Sequence, residues 1–109
     1  MAYTTTAAQF FTGLAPTLSS FKSVGGLIEF DLKGDGGGRW FVDLTQGQVH
    51  SESKVKPDAI VRANPRDFMA LVEGRMSVAD GLLTQRLSVA GEVARLTRLF
   101  TLLTAKKAA

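Results

Sequence analysis

His50 is the only histidine in this chain of 109 residues, and Ser51, Glu52 and Ser53 follow it directly. These are the residue types of a base, a nucleophile and an acid. A serine nucleophile needs an imidazole within hydrogen-bond reach. On a strand, however, side chains alternate, so His50 shares a face with Glu52 while Ser51 and Ser53 point the other way. The alternation disfavours a Ser–His dyad. One histidine and no cysteine leave neither a histidine pair nor a thiolate for a metal, and no cofactor is expected. Glu29 and Asp31 share a strand face with Lys33 and read as solvent-facing charges rather than a general acid/base pair. The glycines Gly34, Gly36, Gly37 and Gly38 suggest a phosphate loop, but Arg39-Trp40 opens a strand where such a loop needs Gly-Lys-Ser/Thr and a helix. A hairpin turn is the simpler reading. Nothing here assembles into a catalytic constellation, so the chain is expected not to be an enzyme.

What remains is apolar surface beyond one core stripe. Residues 78–84 form a short predicted helix in which Leu82 and Leu83 lie about 100° apart. One can face a core. The other needs a second apolar surface, either a ligand cavity or a partner. Phe68, Val72, Met76, Leu99, Phe100 and Leu103 each read singly as core, and Met76 adds an adaptable side chain. Taken together with Leu82 and Leu83, they are what a long apolar cavity requires.

The elements that must position these residues follow from periodicity and caps. Thr6-Ala7-Ala8-Gln9 is a capping-box signature that starts a helix near Ala7. Phe10, Leu14 and Leu18 recur on one face of it, weakened by Gly13 and Pro16. From Leu27 to Lys33 the period becomes two, with Ile28, Phe30 and Leu32 inward, and Trp40, Val42 and Leu44 repeat it against Phe41 and Asp43. A turn at residues 45–48 leads to a polar strand, Val49 to Ser53, suited to a sheet edge. After Lys56-Pro57-Asp58 a fourth strand spans Ala59 to Ala63. Asn64-Pro65 then starts a helix with Asp67 at N3, buried Phe68, Leu71 and Val72, and Gly74 at its end. Ser77 and Asp80 cap the next. A last strand, Arg86 to Ala90, ends at Gly91, and Val93, Leu96, Leu99, Phe100 and Leu103 stripe a final helix, with Leu102 beside them. Helices bracketing a largely antiparallel meander predict an α+β layer, helices on one face of the sheet.

Composition sets the frame. One domain, residues 1–109, is expected, with 45% hydrophobic and 21% charged residues. No apolar run approaches the ~20 residues of a membrane span, and the N-terminus lacks the pattern of a secretory signal. The absence of cysteine fits a cytoplasmic setting. Charge is uneven: residues 1–60 hold five Lys/Arg and six Asp/Glu, whereas residues 61–109 hold eight and four. A solvated face is the plain reading of that excess. If it has a use, Arg75, Arg86, Arg95 and Arg98 suit transient docking on an anionic membrane rather than nucleic acid, because few aromatics accompany them.

Three segments together resemble the sterol carrier protein type-two domain: GLIEFDLKGDGGGRWFVDLTQG (26–47), PDAIVRANPRDFMALVEGRMSVADGLL (57–83) and RLSVAGEVARLTRL (86–99). Phe68, Gly74, Arg75, Met76, Leu82, Leu83, Leu87, Val89 and Gly91 fall on the pattern of that family. Val78 stands where a Pro is frequent and Gln85 where a Gly is frequent. The resemblance implies a five-stranded mixed sheet covered on one face by helices. It also implies an apolar tunnel between them for a fatty acid, acyl-CoA, sterol or isoprenoid. Phe68, Val72, Met76, Leu82, Leu83, Leu87, Leu99, Phe100 and Leu103 would then bind the lipid. The expected function is non-enzymatic lipid binding and transfer or presentation. The alternative is an accessory or scaffolding subunit whose apolar groove holds a protein partner.

Overall fold

A five-stranded sheet organises the chain in the computed structural model, which describes residues 7–14, 18 and 21–108. In chain order the elements are α1 (Ala7–Leu14), β1 (Leu27–Leu32), β2 (Gly38–Asp43), β3 (Gln48–His50), β4 (Ala59–Ala63), α2 (Pro65–Val72), α3 (Val78–Leu83), β5 (Leu87–Gly91) and α4 (Val93–Ala108). The strand order is β3-β2-β1-β4-β5. β1 pairs antiparallel with β2, Phe30 opposite Trp40, and parallel with β4, Phe30 opposite Val61, so the sheet is mixed. The β1–β2 turn needs glycine at Gly37 for space, because a Cβ there would run into the Leu32 carbonyl, and at Gly34 and Gly36 for their positive φ. The fold is α+β, with the helices on one face, as expected.

Alternation along the strands sorts the two faces. Ile28, Phe30, Leu32, Val42, Val61 and Leu87 point to the helices and are buried. An aromatic cluster fills the middle of that layer. Phe11 stacks on Trp40 at 4.5 Å and on Phe68 at 5.2 Å, and Phe68 meets Phe30 edge-on at 5.4 Å and Phe100 at 6.2 Å. Such pairs add to the burial of their area.

The face of the first helix differs from the expected one. Ala7, Phe11, Leu14 and Leu18 are buried, while Phe10 is half-buried and touches Phe11 and Phe68 edge-on. Spacings of four and three turn the stripe onto Phe11. Thr6 and Pro16, expected to cap and to weaken this helix, lie outside the described residues.

The opposite face of the sheet carries a second correction. Glu29 and Asp31 lie on it, but they are only 9% and 6% exposed instead of solvent-facing. They sit on the central strand, and long basic side chains from its neighbours fold across them. Arg39 reaches Glu29 at 3.2 Å, and Lys33 and Arg62 reach Asp31 at 3.4 and 3.6 Å. The charged groups sit against the carboxylates while the basic side chains remain more than half exposed.

Candidate functional site

The segment 64–87 is built from two successive capped helices. Asn64 accepts from the Asp67 N–H at 2.8 Å to start α2, and Ser77 accepts from the Asp80 N–H at 3.0 Å to start α3. Both end in the same motif. At α2 the N–H of Arg75 reaches the Ala70 carbonyl (2.9 Å) and that of Gly74 the Leu71 carbonyl (3.2 Å). At α3 the N–H of Arg86 reaches Gly81 (2.9 Å) and that of Gln85 reaches Leu82 (3.3 Å). This pair of bonds is a Schellman cap, which needs a left-handed residue at its turn. Gly74 supplies it at φ 78°, and Gln85 adopts it at φ 61° despite its Cβ. Gln85 is the one described non-glycine residue with positive φ.

The short helix α3 packs on β5 and leaves an apolar groove between itself, the end of α2 and the first turns of α4. Its volume is about 360 Å³, and its walls are Leu71, Met76, Val78, Leu82, Val93 and Phe100, with Ser77, Ala79, Thr97 and Thr101 between them. The polar atoms of these walls are largely engaged within their own helices. Thr97 donates to the Val93 carbonyl and Thr101 to that of Thr97, while Ser77 caps α3. A ligand there meets a wall that behaves as apolar.

Of the expected lipid-binding residues, Met76, Leu82 and Phe100 line this groove. Phe68, Val72, Leu87 and Leu99 are closed into the core, and Leu103 is half-buried against it. Leu83 lies outside the groove and is 82% exposed. The two adjacent leucines point apart, Leu82 to the groove and core, but Leu83 turns to solvent and meets no second apolar surface among the described residues. Leu71, Val78 and Val93 line the groove without having been expected there. The sequence signal for Val78 and Val93 was their place as the first apolar residue of each helix.

The arginines divide as well. Arg75 pairs with Glu73 and stays largely exposed. Arg86 and Arg98 are exposed, with no ion-pair partner among the described residues. Arg95 is held differently, its guanidinium engaged and its side chain 23% exposed. It donates to the Val24 and Gly25 carbonyls at 2.6 Å each and pairs with Glu92 at 3.0 Å. Those bonds tie the first turn of α4 to the segment entering β1.

His50 lies on the edge strand β3, opposite Phe41. The strand stops there, three residues earlier than expected, so the alternation lapses and Glu52 and Ser53 border the same depression as His50, with Asp43, Thr45 and Asp58. Several of its polar side chains are engaged with nearby backbone. Ser53 bonds the backbone of Val55, Thr45 accepts from Gly26, and Asp58 accepts from Leu27. No described hydrogen bond joins His50 to a serine or a carboxylate.

The family model described as "SCP-2 sterol transfer family" matches residues 14–104. The chain belongs to this family. Hydroxysteroid dehydrogenase-like protein 2 of Rattus norvegicus is 28% identical over 81 residues, which is 72% of this chain but 16% of that protein. This family member thus spans about a sixth of the length of such curated relatives. Among solved structures, sterol carrier protein domain 2 of Helicoverpa armigera aligns with TM-score 0.77 at 17% identity, covering 89% of this chain and 87% of its own. Palmitated SCP2L2 of Aedes aegypti aligns with TM-score 0.69 at 19% identity, covering 90% and 94%. These likenesses establish the fold. Among the described residues, no helix is long and apolar enough to cross a membrane.

Proposed function

We propose that this member of the SCP-2 family binds an apolar lipid in the α2–α3–α4 groove and presents or transfers it without catalysis. The observation that carries the reading is the groove itself: apolar walls, internally satisfied polar groups, and a volume of about 360 Å³. That volume is at the lower end for small-molecule sites. It suits one flexible acyl chain better than a rigid fused-ring sterol. Burying about ten methylenes at ~0.8 kcal/mol each contributes up to ~8 kcal/mol before the entropy lost on association is subtracted. Met76 gives the wall an adaptable side chain.

Delivery of an insoluble ligand favours contact with a membrane. Of the four arginines expected to dock, Arg75, Arg86 and Arg98 are exposed, each contributing about 1 kcal/mol near an anionic surface. Faster transfer of a fluorescent fatty acid to anionic than to neutral vesicles, lost in Arg75→Glu/Arg98→Glu, is the expected result. Equal rates to both vesicles refute the docking step and leave the groove intact.

The groove is tested by melting the protein with palmitate, palmitoyl-CoA, cholesterol and a ubiquinone analogue. A ligand at about 100 times its Kd adds ~2.7 kcal/mol, about 10 °C for a chain of this size. Ala79→Trp, which places an indole in the groove, should abolish the shift while the protein stays folded. An unchanged Tm with all four refutes the lipid reading in favour of a groove that receives a protein partner.

A further inference from the structure

We propose that the edge strand β5 is a self-association surface, on which two copies of this chain pair antiparallel to continue one sheet. The inference stands apart from the lipid reading and rests on backbone directions, charge and exposed apolar residues.

The ladder fixes which way the backbone of β5 points. Lys33 donates to the Ala63 carbonyl at 3.0 Å, so the odd-numbered residues of β4 turn their backbone groups to β1. Its even-numbered residues therefore face β5, making Ile60–Ala90 and Arg62–Ser88 the hydrogen-bonded pairs. Just before β4 the Asp58 carbonyl likewise faces the β5 side, accepting the Glu92 N–H at 3.0 Å, although the Asp58 N–H turns to Leu27 on β1. The N–H and C=O groups of Leu87 and Val89 consequently point away from the sheet. No hydrogen bond among the described residues reaches them.

Edges of this kind are normally blunted by charge, proline or shortness. The other edge, β3, has three residues and carries Gln48 and His50. β5 has five, Leu87-Ser88-Val89-Ala90-Gly91, with no charge and no proline. Charge stands only at its ends, Arg86 before it and Glu92 after it.

Those ends select the partner and the register. If Val89 faces Val89 of a second copy across a two-fold axis, Leu87 faces Gly91 and Arg86 faces Glu92, twice. Opposite charges directly across a strand pair are favourable. Glu92 also pairs with Arg95, but its side chain remains 53% exposed and open to a second cation. Shifting the axis to Ser88 would set Arg86 against Ala90 and forfeit both pairs. The same register brings the ends bearing two exposed apolar residues toward each other: Leu83, which lies outside the groove, and Val93, which also borders it. Leu83, 82% exposed, precedes β5, and Val93, 37% exposed, follows it. Antiparallel pairing carries the Leu83 end of one copy to the Val93 end of the other. The axis is perpendicular to the sheet, so both helix layers, and both grooves, lie on the same face of a ten-stranded sheet.

Sedimentation equilibrium of the full chain, with and without palmitate, tests this. The expected result is a dimer of micromolar Kd. Arg86→Glu and Glu92→Arg should each weaken it about tenfold or more, and the double swap Arg86→Glu/Glu92→Arg should restore it to within about threefold. Val89→Pro removes an outward donor on an edge strand, which tolerates proline, together with part of a half-buried side chain, and should give a less stable but folded monomer by circular dichroism. A wild-type chain still monomeric at about 100 µM overturns the proposal. So does a dimer indifferent to the swap and to Val89→Pro, which would place the contact elsewhere.

Discussion

Arg95→Met is the perturbation that most sharply separates a fastener from a docking cation. The guanidinium holds two carbonyls, Val24 and Gly25, at 2.6 Å each, and Glu92 at 3.0 Å, with its side chain 23% exposed. A hydrogen bond to a charged group contributes about 1.5–3 kcal/mol, and partial exposure selects the low end for each carbonyl. The Glu92 pair, with a half-exposed carboxylate, contributes at most about 1 kcal/mol. Against these stands the buried Nε, which lacks a partner, so its removal returns part of the loss. Methionine keeps much of the stem packing. The net expectation is a loss of about 2–3 kcal/mol, a fall of about 10 °C in Tm, and a urea midpoint lower by about 1–2 M at unchanged m. Arg95→Lys should lie between, because one ammonium cannot reproduce the planar fork. Arg98→Met, on the same helix but exposed, should stay within about 0.5 kcal/mol of wild type. Equal and negligible losses for Arg95→Met and Arg98→Met would refute the fastener and return Arg95 to the exposed basic set.

Other outcomes follow from the same geometry. Gln85→Gly should stabilise the protein by about 0.5–1 kcal/mol, because a Cβ residue in the left-handed region costs about 1–2 kcal/mol and glycine gives part of that back in chain entropy; Gly74→Gln should destabilise it, and urea titrations of both variants check the pair. Phe68→Ala should cost about 3–5 kcal/mol by emptying the centre of the aromatic cluster, measured in the same titrations. Replacing His50, Ser51 and Glu52 together by Ala should leave palmitate affinity within a few-fold in a fluorescence displacement assay, whereas loss of a hydrolytic activity in that variant would overturn the non-catalytic reading.

The strands and capped helices were legible because their signals are local. Period-two alternation marked β1 and β2, and Asn64-Pro65 and Ser77 with Asp80 marked the starts of α2 and α3. What local patterns left out was decided by third partners. Glu29 and Asp31 read as exposed on their own strand, and only the neighbours of β1, which bring Arg39 and Arg62 over them, bury them. Phe10 and Phe11 are both apolar, and the choice of Phe11 as the inward ring depends on Trp40 and Phe68, distant in sequence. Arg95 looked like its neighbour Arg98 until the segment before β1 came to rest against it. Within the groove, composition named Met76, Leu82 and Phe100. It also named Phe68 and Leu99, since a cavity wall and a closed core draw on the same residue types.

The central claim, that the groove holds a lipid, is met most directly by mass spectrometry of lipid extracted from gently purified protein, alongside Ala79→Trp handled identically. The account predicts a single-chain lipid at near-stoichiometric amount with the wild type and its loss from the folded variant. Protein that carries no lipid and takes up no palmitate on incubation, or equal lipid in both proteins, would contradict it.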